Sequence, residues 1–350
     1  ELKQKFPEVQ LPAVWLPHGI LGVSNAEIKQ DKTGGMFGPF EGQLFVGDQG
    51  QSKIMRVFLE KVNGEYQGAA FDFRNNFQSG VLRMDWTHDG SLIVGETNRG
   101  WGSAGNKDEG IQRLEWTGKL PFEMKTVKAT TDGFEIEFTK PAKMHDIKDL
   151  GQIEAYSFIY KYHPVYGSPP IDRKALQIEG VKWSDDGLKL RLMVNNRVRY
   201  HIHEINLRDI KSADGLPLLH PTVYYTLNAI PDGKKPDMAE YKKYVYKPTV
   251  SAKNKSAATG KKASVSSLEA EVKPLLTKYT CSSCHNANKK QIGPAYKDIA
   301  ARKYSNERIV QLIWKPEPSN WPGYATEMAP LPNVPKADGL KIAAWINSLK

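Results

Sequence analysis

Cys281 and Cys284 are the only cysteines in a chain of 350 residues, and His285 follows the second directly. Nothing else in the sequence narrows the fold as much. One close pair cannot staple a disulfide-framed scaffold, and it leaves no second ligand pair for a Cys-rich zinc or iron–sulfur site. Stability must therefore come from buried apolar surface. The 40 % hydrophobic content suffices for such cores and, beside 25 % charged residues, excludes a chain disordered throughout. The length points to two or three domains. No apolar run approaches the ~18 residues of a membrane-spanning helix. The sequence opens at Glu1 with neither an initiator Met nor a signal-peptide pattern, so we expect a processed start or part of a longer protein.

Up to residue 120 the pattern is that of short strands with a repeat. Gly42–Asp48 (GQLFVGD) returns as Gly90–Glu96 (GSLIVGE), an offset of 48 residues. Each copy is an apolar strand ending in glycine and an acid. A further strand follows each, Lys53–Val62 or Ile111–Trp116, and Gly80–Trp86 alternates between them. A period of roughly 40–50 residues built from short strands predicts propeller blades. Residues 1–120 supply too few for the minimum of about four that close a propeller. The expectation is a partial propeller, its missing blades lying upstream or in another subunit.

Residues 121–232 hold six alternating segments, from Lys125–Thr130 to Thr222–Ala229, separated by turns such as Asp185-Asp186-Gly187. That spacing predicts an Ig-like β-sandwich. His201 and His203 share one strand face with no third ligand nearby in sequence, and read as a structural pair. Residues 233–266 are lysine-rich and then Ser/Ala/Gly-rich without periodicity, so a basic flexible linker is expected. The net charge of +10 lies partly there. Its lysines lack interleaved arginines and, beyond Tyr241, Tyr244 and Tyr246, the stacking aromatics of a nucleic-acid surface. From Ser267 a helical period resumes.

Cys281-Ser282-Ser283-Cys284-His285 has the spacing of c-type heme attachment. Two thiols three apart add to the two vinyl groups on one porphyrin edge, and the next histidine lies beneath the iron. Thioredoxin-type chemistry needs a βαβ setting that is missing here. The following residues run through Ile292-Gly293-Pro294-Ala295-Tyr296, Asn306–Ile313, the loop Glu327-Met328-Ala329-Pro330-Leu331-Pro332 and the closing Gly339–Leu349. In content and order, residues 267–350 resemble the short bacterial class I cytochromes c. The resemblance implies one covalent heme c on Cys281 and Cys284, with His285 and Met328 as axial ligands. It implies that the Pro294 carbonyl orients the imidazole and that Trp321 lies near a heme propionate, although Pro322 separates Trp321 from Gly323 where the family has Trp-Gly. Such attachment takes place outside the cytoplasm, which implies a periplasmic or cell-envelope location.

Trp15-Leu16-Pro17-His18-Gly19, Gly42–Asp48 and Gly90–Gly102 resemble the PQQ-dependent glucose/sorbosone dehydrogenase propellers, which are often fused to a cytochrome c. That resemblance implies PQQ and Ca2+ once the propeller is completed. Arg74, Arg83 and Arg99 are then candidates for the quinone carboxylates and His18 for the base. The expected fold is multi-domain and mainly β, with partial propeller blades and an Ig-like sandwich followed by an all-α cytochrome c domain. The expected function is single-electron transfer through the heme, as the C-terminal part of a PQQ-dependent sugar or alcohol dehydrogenase. The alternative is a non-catalytic electron-carrier or structural subunit of an envelope assembly. In residues 267–350, 12 basic residues face 7 acidic ones, so an acidic redox partner is expected.

Overall fold

A computed structural model gives the fold and describes residues 5–100, 102–144, 147, 152–161, 163, 168–234, 237–242, 265–279, 281–324, 328, 331 and 334–349. The chain forms two compact units, Glu1–Ala252 and Lys253–Lys350.

In the first unit every strand pairing is antiparallel. Strands β1 (Asn25–Gln30), β2 (Leu44–Asp48), β3 (Lys53–Val62) and β4 (Glu65–Arg74) follow one another as a meander. The β3–β4 turn is Asn63-Gly64, and both residues have positive φ, 50° and 88°. Such two-residue turns match the right-handed strand twist and select Asn-Gly. Strands β5 (Val81–Trp86), β6 (Leu92–Thr97) and β7 (Glu109–Leu114) make a separate three-stranded sheet. A four-stranded sheet has the order β12 (Gln177–Trp183), β13 (Lys189–Asn195), β9 (Gly133–Phe138), β8 (Met124–Ala129).

The remaining strands, β10 (Glu154–Tyr160), β11 (Pro170–Ala175), β14 (His201–Asn206) and β15 (Thr222–Leu227), join the first meander. The result is one eight-stranded sheet, β1-β2-β3-β4-β15-β14-β10-β11. Its seam is β4 against β15, with Phe71 opposite Val223, Ala70 opposite Tyr224 and Ala69 opposite Tyr225. The main core lies between this sheet and the four-stranded one, where Phe71 and Tyr225 meet Phe134, Ile136 and Leu192. A second core packs Phe45, Ile54 and Phe73 on Val81, Leu92 and Val94 of the three-stranded sheet.

The expected succession of domains is corrected here. A boundary at residue 120 is impossible, because a single sheet takes strands from both sides of it and the main core takes Ala69 and Phe71 from the earlier part. Neither propeller blades nor a self-contained Ig-like sandwich describes the unit. The 48-residue repeat survives as a local motif: β2 and β6 are each the middle strand of a meander. Residues 237–242, inside the expected linker, sit on this unit. Tyr241 is buried and donates its hydroxyl to Asp132 Oδ2 at 2.6 Å, and Lys242 bridges to Val181. Residues 235–236 and 243–264 of that expected linker lie outside the described residues, while 265–266 already form the start of a helix.

The second unit contains α1 (Val265–Lys278), the short α2 (Cys281–Cys284), α3 (Tyr296–Ala301), α4 (Asn306–Trp314) and α5 (Lys336–Ser348). Val272 and Leu276 of α1, Ile309 and Ile313 of α4, and Ile342, Trp345 and Ile346 of α5 share one core. Ser305 caps α4 through its side chain, which accepts from the Arg308 N–H at 3.1 Å. The expected all-α cytochrome domain is also corrected: helix is about 15 % of a mainly β chain, and no all-α cytochrome domain stands out among the described residues. Pro294, Pro316, Pro322 and Pro335 lie between these helices, where each lacks the N–H that a helix interior requires. Among the described residues no helix is long and apolar enough to cross a membrane.

Candidate functional site

Helix α2 is a single turn that carries both cysteines on one side of the chain. The His285 N–H bonds the Cys281 carbonyl at 3.0 Å, which places the imidazole directly after the turn. The Gly293 N–H then bonds the Cys284 carbonyl at 2.7 Å and folds the next segment back across it. This brings the Pro294 carbonyl to 2.7 Å from His285 Nδ1. A carbonyl only accepts, so Nδ1 carries the proton and Nε2 is left with its lone pair. A β-carbon on Gly293 would come within 2.6 Å of His285 Cε1, so only glycine lets the ring seat there. Tyr296, the first residue of α3, stacks on the imidazole at 5.5 Å and 28°, and meets Trp345 edge-on at 5.0 Å.

Burial sets the protonation of these groups. It pushes the Cys281 thiol up to about 11 and raises that of Cys284, so both are neutral thiols at physiological pH. A dithiol oxidoreductase depends on the opposite shift. Burial lowers the pKa of His285, with the Pro294 hydrogen bond opposing, so the imidazole is neutral and able to donate to a metal. The Tyr296 hydroxyl and Trp345 Nε1 are buried, and among the described residues neither has a hydrogen-bond partner. A group bound beside them is one way such buried atoms are accounted for. Two adjacent free thiols, a neutral imidazole with Nε2 open and aromatic walls are the donor set that a covalently held heme takes, so these residues fit one.

Met328 is half-buried in the loop between the turn Pro318–Asn320 and Leu331. That loop is tied at its far end, where the Leu331 N–H bonds the Ile313 carbonyl at 3.0 Å. Trp321 is half-buried beneath the Arg302 guanidinium, which lies 4.4 Å from its ring. The structure thus gathers Cys281, Cys284, His285 and Pro294 directly, ties Trp321 to Arg302, and leaves Met328 half-buried later in the chain. No sequence signal marks Tyr296 as a stacking partner or the Trp345 nitrogen as unpaired; Trp345 is a core residue at 3 % exposure, and nothing in its spacing sets it apart.

The candidates for a quinone site do not assemble. Arg74 lies on the Phe73 ring and lines a cleft with Trp116 and Glu123, while Arg83 lines a different groove and pairs with Glu27 at 3.9 Å. Arg99 is exposed. His18 is half-buried with its pKa lowered by burial, which outweighs the nearby Asp48 charge. Among the described residues, no group of three or more His, Cys, Asp or Glu side chains could hold a metal ion such as Ca2+. These side chains do not fit PQQ.

No family model and no solved structure matches the chain. Among curated proteins it is similar to cytochrome c-551 of Allochromatium vinosum, 35 % identical over 80 residues, which is 21 % of this chain and 82 % of that protein. Over that stretch the chain belongs to the cytochrome c family.

Proposed function

We propose that the protein is an electron carrier built on one covalent heme c, held by Cys281 and Cys284 with His285 and Met328 as the axial pair. The observation that carries this reading is the 2.7 Å bond from His285 Nδ1–H to the Pro294 carbonyl, next to two free thiols. It fixes the tautomer and the ring plane and raises the basicity of Nε2. When bound, the heme supplies a one-electron Fe(III)/Fe(II) couple. The chain's part is to aim the imidazole, to exclude water with Tyr296, Trp345 and Ile313, and to offer the thioether of Met328, which favours Fe(II) and a high potential. Attachment to such a motif takes place outside the cytoplasm, so the protein is exported on this reading. The excess of lysine and arginine in residues 267–350 suits an acidic partner, with an encounter rate that falls as salt is added.

A heme stain on a denaturing gel tests covalent attachment, and a methionine–iron charge-transfer band in the oxidised protein tests Met328. Met328→Ala is expected to keep the stained band, abolish the charge-transfer band and lower the potential. A wild-type chain with no stained band overturns the reading. A PQQ-dependent dehydrogenase role rests only on the sequence resemblance of the first 120 residues, and the scatter of Arg74, Arg83, Arg99 and His18 speaks for the carrier. Adding PQQ, Ca2+ and sugars or alcohols is therefore expected to leave the heme oxidised.

A further inference from the structure

Two cations reach across to the loop that leads into Met328. Lys290, five residues beyond His285, donates to the Gly323 carbonyl at 3.1 Å and lies 4.4 Å from the Tyr324 ring centre. Arg302, at the C-terminal end of α3, donates to the Asn320 carbonyl at 2.8 Å and lies 4.4 Å from the Trp321 ring centre. The two rings meet edge to face at 6.1 Å and 84°. Each cation thus binds one carbonyl and one aromatic face, and the four contacts fall within residues 320–324. Both cations belong to the histidine side of the site: Lys290 follows the attachment motif, and α3 starts with Tyr296 stacked on His285.

We propose that Lys290 and Arg302 are positioning residues, a two-point clamp that holds the 320–324 corner and thereby keeps Met328 at the sixth position of the iron. This rests on the heme reading above. The physical reason is reach. Three residues separate Tyr324 from Met328, so the Met328 Cα stays within roughly 14 Å of the corner however the intervening chain turns. Pinning the corner therefore limits the volume the sulfur can explore once it leaves. An exposed cation–π contact is worth little alone, but two of them, each doubled by a hydrogen bond, amount to about a tenfold bias on an opening equilibrium. Trp321 acquires a role that requires no propionate contact.

The test uses the full heme-loaded chain and compares wild type with Lys290→Ala/Arg302→Ala. Imidazole, a neutral ligand, reports how often the sixth position opens. The double variant is expected to bind it about tenfold more tightly, equal to ~1.4 kcal/mol, with a weakened charge-transfer band and faster amide exchange at Trp321 and Tyr324. Lys290→Arg keeps a cation and a donor and is expected to match wild type. Lys297→Ala/Lys303→Ala removes the same charge nearby without touching the corner, and is also expected to match. Unchanged imidazole affinity and exchange in the double variant, in a protein where Met328→Ala does open the site, overturns the clamp alone. A tenfold gain in the Lys297/Lys303 variant overturns it too, since bulk charge would then be the cause. A wild-type chain without covalent heme overturns both readings.

Discussion

Gly293 is the residue on which the placement of His285 turns. An added β-carbon would lie 2.6 Å from Cε1 and 2.9 Å from Nδ1, closer than real contacts allow. In Gly293→Ala the imidazole must shift, and the bond to Pro294 is the first loss. Overpacking of this kind costs about 1–3 kcal/mol, to be read as a lowered denaturant midpoint of the second unit at unchanged slope. The motif itself was legible in the sequence, because covalent attachment demands cysteines and histidine at fixed local spacing. The contact of the Pro294 carbonyl with His285 was legible only through resemblance. The repeat-ending acids were legible as a pattern but not in purpose. Asp48 accepts from the Val23 and Ser24 N–H groups at 2.7 and 2.8 Å, and Glu96 from the Ser79 N–H at 2.7 Å, so each ties its strand end to the chain entering the preceding strand. His203 read as structural from its lack of a third ligand, and it is fully buried, its pKa brought down to about 3 chiefly by burial. Its folded pKa lies below the unfolded value of 6.5, so between pH 6.5 and about 3 the unfolded chain holds the extra proton. Stability of the first unit is therefore expected to fall with pH through that window, by about 1.4 kcal/mol per unit. Urea midpoints measured for wild type and His203→Gln across that range check it: the variant's curve should be flatter.

At the scale of elements, the strand that decided the architecture was the one the sequence concealed. Strand β4 (EYQGAAFDFR) has no clean alternation, since Gln67 through Phe71 are all buried. A strand covered on both faces loses the period-2 signal. Overlooking it left β1–β3 apparently separate from β10, β14 and β15, and the domain boundary was drawn through a continuous sheet. Only the Asn63-Gly64 turn marked the hairpin. Arg56 on β3 shows the same effect. It occupies a position that alternation assigns to solvent, yet it is 1 % exposed, between the rings of Phe40 and Phe71 at 3.9 and 4.0 Å. Its guanidinium donates to the carbonyls of Met124 at 2.7 Å and Lys125 at 3.0 Å, and to Gln43, stitching β3 to β8. Burial brings its pKa down to about 9 against the favourable charge of Glu123, which leaves it charged at neutral pH. Arg56→Met takes the donor from the buried Met124 carbonyl and Gln43 Oε1, while the Lys125 carbonyl keeps its bond from Gln43 Nε2, and is expected to destabilise the first unit by about 3–5 kcal/mol. Arg56→Lys should recover less than half of that in the same urea titration, because an ammonium lacks the planar fork.

For the whole molecule, the division into Glu1–Ala252 and Lys253–Lys350 has an energetic counterpart. Among the described residues, the cluster around Val272, Ile309 and Trp345 draws on residues 268–349 and the other three on residues before 231. That two-part division, β pattern first and helical pattern after residue 267, was legible because the period of the apolar residues changes; the number of domains in the β part was not, because sheet pairing is long-range. Two cores without common residues give no reason for a single cooperative transition. Calorimetry of the full chain is expected to show two transitions. Arg56→Met should lower one and leave the other in place. Leu276→Ala, which empties a site only 6 % exposed in the core of the helical unit, should lower the other by about 2–5 kcal/mol. A single transition moved by both substitutions would show that the units unfold as one body, and the electron carrier would then have to be understood as a fixed part of the β-structure.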